Sequence, residues 1–236
     1  MIFMARVTIT DLIMSIRCIY FRHSAFLALL IFLIAQTGPA PGETIPFDRA
    51  WKEQGFFRLW SNDYKPEGRR LEVISDGTVS LFYRPLPENL RGARRARWEW
   101  AVRQGVRATD LTRKGGDDRN LALYFVFADP KAARKLARAS AARLMRHAGT
   151  RALIYVWGGD YESGTVLASP YGEGRLKTVI RRPAGTGRFR ETADLRADFR
   201  RAFGTDPGVL VGVAVSADSD DTDGRIEAFI EDLMIE

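Results

Sequence analysis

Residues 95–102, RARWEWAV, alternate strictly: Ala96, Trp98, Trp100 and Val102 fall on one side, and Arg95, Arg97, Glu99 and Ala101 on the other. An extended chain sends successive side chains to opposite faces, so this order buries one face of a β-strand and wets the other. A helix would scatter the two tryptophans around its axis. The same logic runs along the chain. LEVIS (71–75) and VSLFYR (79–84) flank Asp76-Gly77, which is a hairpin signal. LALYFVFA (121–128), ALIYVWG (152–158) and VLVGVAVSA (209–217) are almost wholly apolar and read as central strands. FFRLW (56–60) reads as the first strand, RLKTVIRR (175–182) as a more exposed one, and RIEAFIEDLMIE (225–236) as the last, alternating through Ile226, Ala228 and Ile230.

Two segments break this pattern. Asp129-Pro130 opens a stretch rich in Ala, Leu, Arg and Lys that ends before Gly149, which predicts a helix from about 130 to 147 with Leu136, Leu144 and Met145 inward. ADLRADFRRAFG (193–204) predicts a short helix stopped by Gly204. A parallel α/β fold needs a helix between most strands, and these are too few. The expected fold is therefore mainly β: an antiparallel two-sheet sandwich, jelly-roll or galactose-binding-like, with one or two helical excursions. It forms a single domain over 41–236, with the helical insertion at about 130–147.

Residues 1–40 are read separately. Ser24–Ala35 carries no charge, Arg17, Arg22 and His23 precede it, and Gln-Thr-Gly-Pro-Ala follows. A basic flank, a short apolar run and a small-residue exit describe a signal peptide cleaved near Ala35 or Ala40. As a helix the run rises about 18 Å, short of a hydrocarbon core of roughly 30 Å, so no stable membrane span is expected after cleavage. Starting translation at Met14 would make the basic flank compact. The expectation is export to the periplasm or beyond. Cys18 is the single cysteine and lies in this segment, leaving the mature chain without thiols, as suits an oxidising compartment. Lys and Arg total 36 against 29 Asp and Glu. That mild, dispersed excess gives solubility and weak attraction to anionic surfaces, and is no nucleic-acid footprint.

RWEW (97–100), GDD (116–118) ahead of LALYFVF, ALIYVWG, DFRRAFG (198–204), GVAVSADSDDT (212–222) and the closing EDLMIE follow one another in an order that resembles the bacterial family catalogued as domain of unknown function 3047. The resemblance runs from about residue 47 to the C-terminus. It implies an exported protein whose layout is similar to jelly-roll, carbohydrate-binding-like sandwiches. The chain departs from the family pattern at Ala122, where the family carries Arg, and at Ile154, where it carries Asn. Its acidic motif reads Asp218-Ser219-Asp220-Asp221-Thr222 in place of Asp-Thr-Asp-Asn-Thr.

The acidic loop is the sharpest candidate for chemistry. Asp218, Asp220, Asp221 and Asp223 alternate through a turn, an arrangement that can gather oxygen ligands for Ca²⁺. It is not an EF-hand, because Phe229 stands where the closing Glu belongs. Asp117 and Asp118 could join it across the sheet. A pair of Asp or Glu residues could also hydrolyse a glycoside, with Asp118, Asp220 and Glu99 as conceivable members. Nucleophilic triads and zinc sites find no support: there is no G-x-S-x-G and no Cys/His spacing. His147 reads as a helix C-cap. G-T-G-R (185–188) and G-G-D (158–160) read as turns.

Aromatic side chains combine an apolar face with a polar handle, which suits sugar binding. Trp98 and Trp100 share a strand face and read as core. The candidate ligand contacts are Asp117, Asp118, Tyr155, Trp157, Tyr161 and Tyr171. The first expected function is non-enzymatic binding of a glycan or other cell-envelope polymer, with Ca²⁺ as the one cofactor considered. The alternatives are a hydrolase of an envelope polysaccharide working through Asp118 and Asp220, and an envelope protein that interacts through the basic helix 131–146.

Overall fold

The computed structural model describes residues 42–236; the signal segment, Met14 and Cys18 lie outside the described residues. Strands β1 (Glu43–Thr44), β3 (Asp63–Glu67), β4 (Arg70–Asp76), β6 (Arg95–Gln104), β11 (Gly187–Asp194) and β13 (Arg225–Ile235) build the first sheet. Its order is β11-β6-β13-β4-β3, with β1 paired to the end of β13. Strands β2 (Lys52–Gly55), β5 (Val79–Pro85), β7 (Arg119–Ala128), β8 (Thr150–Trp157), β9 (Val166–Ala168), β10 (Leu176–Arg182) and β12 (Val209–Asp218) build the second. Its order is β2-β5-β12-β7-β8-β10-β9. The sandwich read from the alternation is thus present, of the jelly-roll kind.

Inward residues of both sheets form one interior. Trp98 and Trp100 meet edge to face with ring centres 5.4 Å apart; Trp98 lies 5.4 Å from Tyr155, and Trp100 5.7 Å from Trp157. In β7 the inward set is Leu121, Leu123, Phe125 and Phe127. The opposite set, Ala122, Tyr124 and Val126, faces a second apolar layer with Leu136 and Leu144. Both faces of the central strands are covered, which is why they carry near-continuous apolar runs.

Five expectations are corrected. Asp76-Gly77 is no hairpin: β4 pairs with β3 and β13, while β5 pairs with β2 and β12 in the other sheet. Gly77, at φ 61°, turns the chain from one layer to the other, a conformation open to glycine. FFRLW is not a strand. β2 pairs as far as Gly55 with Ser80, and β5 begins at Val79, so residues 56–60 have no ladder to join. Phe57 and Trp60 are left 88% and 80% exposed. The sandwich is not wholly antiparallel, since β10 runs parallel to β8 after residues 158–175 carry the chain back across the sheet.

The single helix expected at 130–147 is two, α1 (Pro130–Leu136) and α2 (Ala141–Arg146). The Ser140 hydroxyl accepts from the Arg143 amide at 3.3 Å and so starts a new helix. Leu136 and Leu144 face inward as read, but Met145 is 36% exposed. His147 follows α2 as its C-cap, with its ring Nδ1 accepting from the Gly149 amide. The short helix α3 (Leu195–Phe203) is capped by Asp194, whose Oδ1 accepts from the Ala197 amide at 2.9 Å, and ends at Gly204 with φ 71°. A methyl group at Gly204 would meet no atom within 4 Å. Gly204→Ala should therefore cost about 1 kcal/mol through backbone conformation alone, read as a lower urea midpoint; an unchanged midpoint would contradict that. Among the described residues no helix is long and apolar enough to cross a membrane.

Candidate functional site

β7 and β12 are antiparallel neighbours, with Arg119 opposite Asp218 in the register. The start of one strand therefore lies beside the end of the other. Asp117 and Asp118 precede β7, and residues 219–224 follow β12. The sheet thus brings together two acidic segments about a hundred residues apart.

Asp118 is fully buried and holds the loop in place. Its Oδ2 accepts from the Thr222 amide at 2.8 Å and the Thr222 hydroxyl at 2.5 Å, and its Oδ1 accepts from the Asp221 amide at 3.2 Å. Arg119 reaches along the strand: one terminal nitrogen lies 2.9 Å from Asp218 Oδ2 and 3.3 Å from Asp117 Oδ2, and the other donates to the Tyr124 hydroxyl at 3.0 Å. The Tyr171 hydroxyl donates to Asp117 Oδ1 at 3.1 Å. Burial together with Asp117 pushes that phenol up to about 12.

Asp118, Asp218 and Asp220 each bring a carboxyl oxygen into one spot, all within 4.8 Å of one another. Asp218 is 6% exposed, and its Oδ1 has no hydrogen-bond partner among the described residues. Burial pushes its carboxyl up to about 9; Arg119 opposes the shift, while Asp220 and Asp118 add to it. Asp221 is likewise raised, first by burial and then by Asp220.

These groups form one end of a cavity of about 350 Å³ on the outer face of the second sheet. Asp117, Arg119, Asp218, Asp220, Asp221 and Tyr171 line that end, and Leu81, Tyr124, Ile154, Val156 and Leu176 form the floor.

Of the residues singled out in the sequence, Asp117, Asp218, Asp220, Asp221 and Tyr171 line this cavity, and Asp118 stands behind it. Asp223 is not in the three-carboxyl cluster: it is exposed, at φ 48°. Asp221 also stays outside the cluster, although it lines the cavity. Tyr155 and Trp157 do not reach the cavity. They are 0% and 1% exposed and belong to the interior, where the Tyr155 hydroxyl donates to Asp198 Oδ2 at 2.8 Å. Their strand neighbours Ile154 and Val156 take the outward positions. Tyr161 is spent on the Asp110 carboxylate, 2.7 Å away, and buttresses a loop.

Glu99 lies in the other sheet, where Arg190 and Arg188 hold its carboxyl below the usual range. Sequence reasoning missed Arg119 and Tyr124. Arg119 had a signal: it is the single charge in a strand of otherwise uncharged residues, directly after the acidic pair. Ala122 and Ile154, the two departures from the family pattern, both lie on this outer face.

The profile of the family described as "Protein of unknown function (DUF3047)" matches residues 49–234. Among curated protein sequences none matches the chain. Among solved structures, the chain is similar to a cellulase derived from Cel12A of Rhodothermus marinus, at 12% identity and a TM-score of 0.45, covering 84% of this chain and 96% of that one. It is similar to the xyloglucanase domain of NopAA, a type three effector from Sinorhizobium fredii, in complex with cellobiose, at 10% identity and a TM-score of 0.41, covering 84% and 99%. A family 11 carbohydrate-binding module of a Clostridium thermocellum cellulase gives 8% identity and a TM-score of 0.38, covering 84% and 95%.

Proposed function

The chain belongs to the DUF3047 family, and from the chemistry of its cleft we propose that it is an exported protein that binds a glycan or similar hydroxyl-rich envelope polymer without cleaving it. The observation that carries this reading is the gathering of Asp117, Arg119, Asp218, Asp220 and Tyr171 at one end of a single apolar-floored cavity. Sugar hydroxyls donate to carboxylates and accept from guanidinium, while C–H faces lie on apolar surface. A Ca²⁺ ion on Asp118, Asp218 and Asp220 belongs to the same reading, because Asp218 Oδ1 is a buried acceptor without a donor.

A hydrolase is the second reading, favoured by the raised carboxyl of Asp218. Against it stands Asp118, the partner carboxyl it would need, which is fully buried behind the cavity and already accepts three hydrogen bonds from the loop.

Retention on a polysaccharide array tests the proposal. Tyr171→Ala and Asp220→Asn should each weaken retention about tenfold, since a lost charged hydrogen bond or aromatic contact is worth roughly 1.5 kcal/mol. Tyr161→Ala, outside the cavity, should leave retention unchanged. No retention on any polysaccharide, or equal loss in all three variants, would end the binding reading. Release of reducing ends that stops in Asp220→Asn would replace it with hydrolysis.

A further inference from the structure

The cavity has two chemically unlike ends, and the acidic end is the smaller part of it. Away from the carboxyls its walls are mainly aliphatic, with Leu59, Leu81, Leu111, Ile154, Val156 and Leu176 beside Phe56 and Thr178. A second cavity of about 50 Å³ shares Leu81, Tyr124, Met145 and Leu176 with the first. It continues over Val126, Ala141, Leu144 and Ala152, between the sheet and α2. The two form a trough along the outer face of the sheet.

A sugar ring asks for a flat aromatic platform with hydrogen-bonding groups around it. Past the acidic end, where Tyr124 is tied to Arg119 and Tyr171 to Asp117, the trough has two aromatic lining residues, Phe56 in the first cavity and Tyr83 in the second, set among a larger number of aliphatic ones. Walls made mainly of branched aliphatic side chains match a flexible hydrocarbon chain, whose burial there removes methylene groups from water. The acidic end selects the head. Asp117, Asp220 and Asp221, with Asp118 behind them, outnumber the cations at this end, Arg119 and the Lys114 that lies over the Tyr171 ring, so an anionic head is disfavoured. Hydroxyl groups, which donate to carboxyls, are accepted.

We propose that the ligand is a glycolipid-type amphiphile, with a sugar head at the acidic end and an aliphatic chain along the trough. The head rests on the glycan reading above; the tail rests on the trough alone.

The test is calorimetric titration of the full-length protein with hexyl, octyl and decyl glucoside below their micelle concentrations, alongside free glucose, decyltrimethylammonium and decyl sulfate. Affinity should rise about two- to fourfold with each added methylene, with decyl glucoside tightest and decyl sulfate weakest. Leu176→Gln, at a partly exposed wall position, should flatten that rise. Phe57→Ser combined with Trp60→Ser, which strips exposed apolar surface outside the trough, should preserve it.

A flat series in the native protein, with glucosides binding no tighter than glucose, overturns the inference and leaves glycan binding standing. Loss of the rise in the Phe57/Trp60 variant also overturns it, by placing the alkyl chains on the outer patch. A rise with chain length in which decyltrimethylammonium matches decyl glucoside overturns the sugar head and keeps only the trough. Tightest binding by decyl sulfate overturns the assignment of the acidic end.

Discussion

Asp118→Ala should destabilise the protein by about 3 kcal/mol or more, measured by urea unfolding of the variant against the native chain. The carboxyl is wholly buried and accepts from two backbone amides and one hydroxyl of the loop that follows β12. Its removal leaves the Asp221 and Thr222 donors without their acceptor, and a buried donor left unpaired costs about 1–3 kcal/mol. Asp118→Asn should recover part of the loss, because an amide keeps one acceptor and turns two donors toward a site that already supplies three. Asp223→Asn, at an exposed position in the same loop, should stay within about 0.5 kcal/mol. An Asp118→Ala protein within about 1 kcal/mol of native would show that the loop does not depend on this side chain. The acidic end of the cavity is built on that loop, so the variant should also lose retention on polysaccharide.

Asp118 shows what the sequence could and could not disclose. That an acidic pair before one strand and an acidic loop after another could converge was legible; that they do depends on β7 pairing with β12, a choice among seven strands that alternation does not make. Strands themselves were easy to see wherever runs were long and apolar. Partners were not: Asp76-Gly77 has the residues of a hairpin turn, yet β4 and β5 find better partners in different layers. The same limit governs Tyr155 and Trp157. Alternation separates Leu153, Tyr155 and Trp157 from Ala152, Ile154 and Val156, but both sets are apolar because both faces of β8 are covered. Nothing in the strand says which set is inside, and the aromatic one is. In β6 the question answers itself, since Arg95 and Arg97 mark the wet face.

The stability of the native protein should fall as pH rises from 5 to 8 relative to Asp218→Asn. The folded carboxyl of Asp218 is pushed up to about 9, chiefly by burial, against an unfolded value of about 3.9. Between those values the folded chain holds a proton that the unfolded chain has released. The stabilisation from this group is complete below about pH 4 and is lost as pH climbs toward 9, at up to about 1.4 kcal/mol per pH unit. The amide of the Asp218→Asn variant cannot titrate, so the difference between the two unfolding free energies isolates the group. Parallel curves from pH 5 to 8 would mean that Arg119, 2.9 Å from Asp218, keeps the carboxyl ionised in the fold. Calcium competes for the same lone pairs. If it binds Asp118, Asp218 and Asp220, millimolar Ca²⁺ must displace the proton, raise the melting temperature more at pH 8 than at pH 5, and flatten the slope. An unchanged melting temperature at both pH values would remove calcium from the site and leave the proton as the charge that lets these carboxyls lie together.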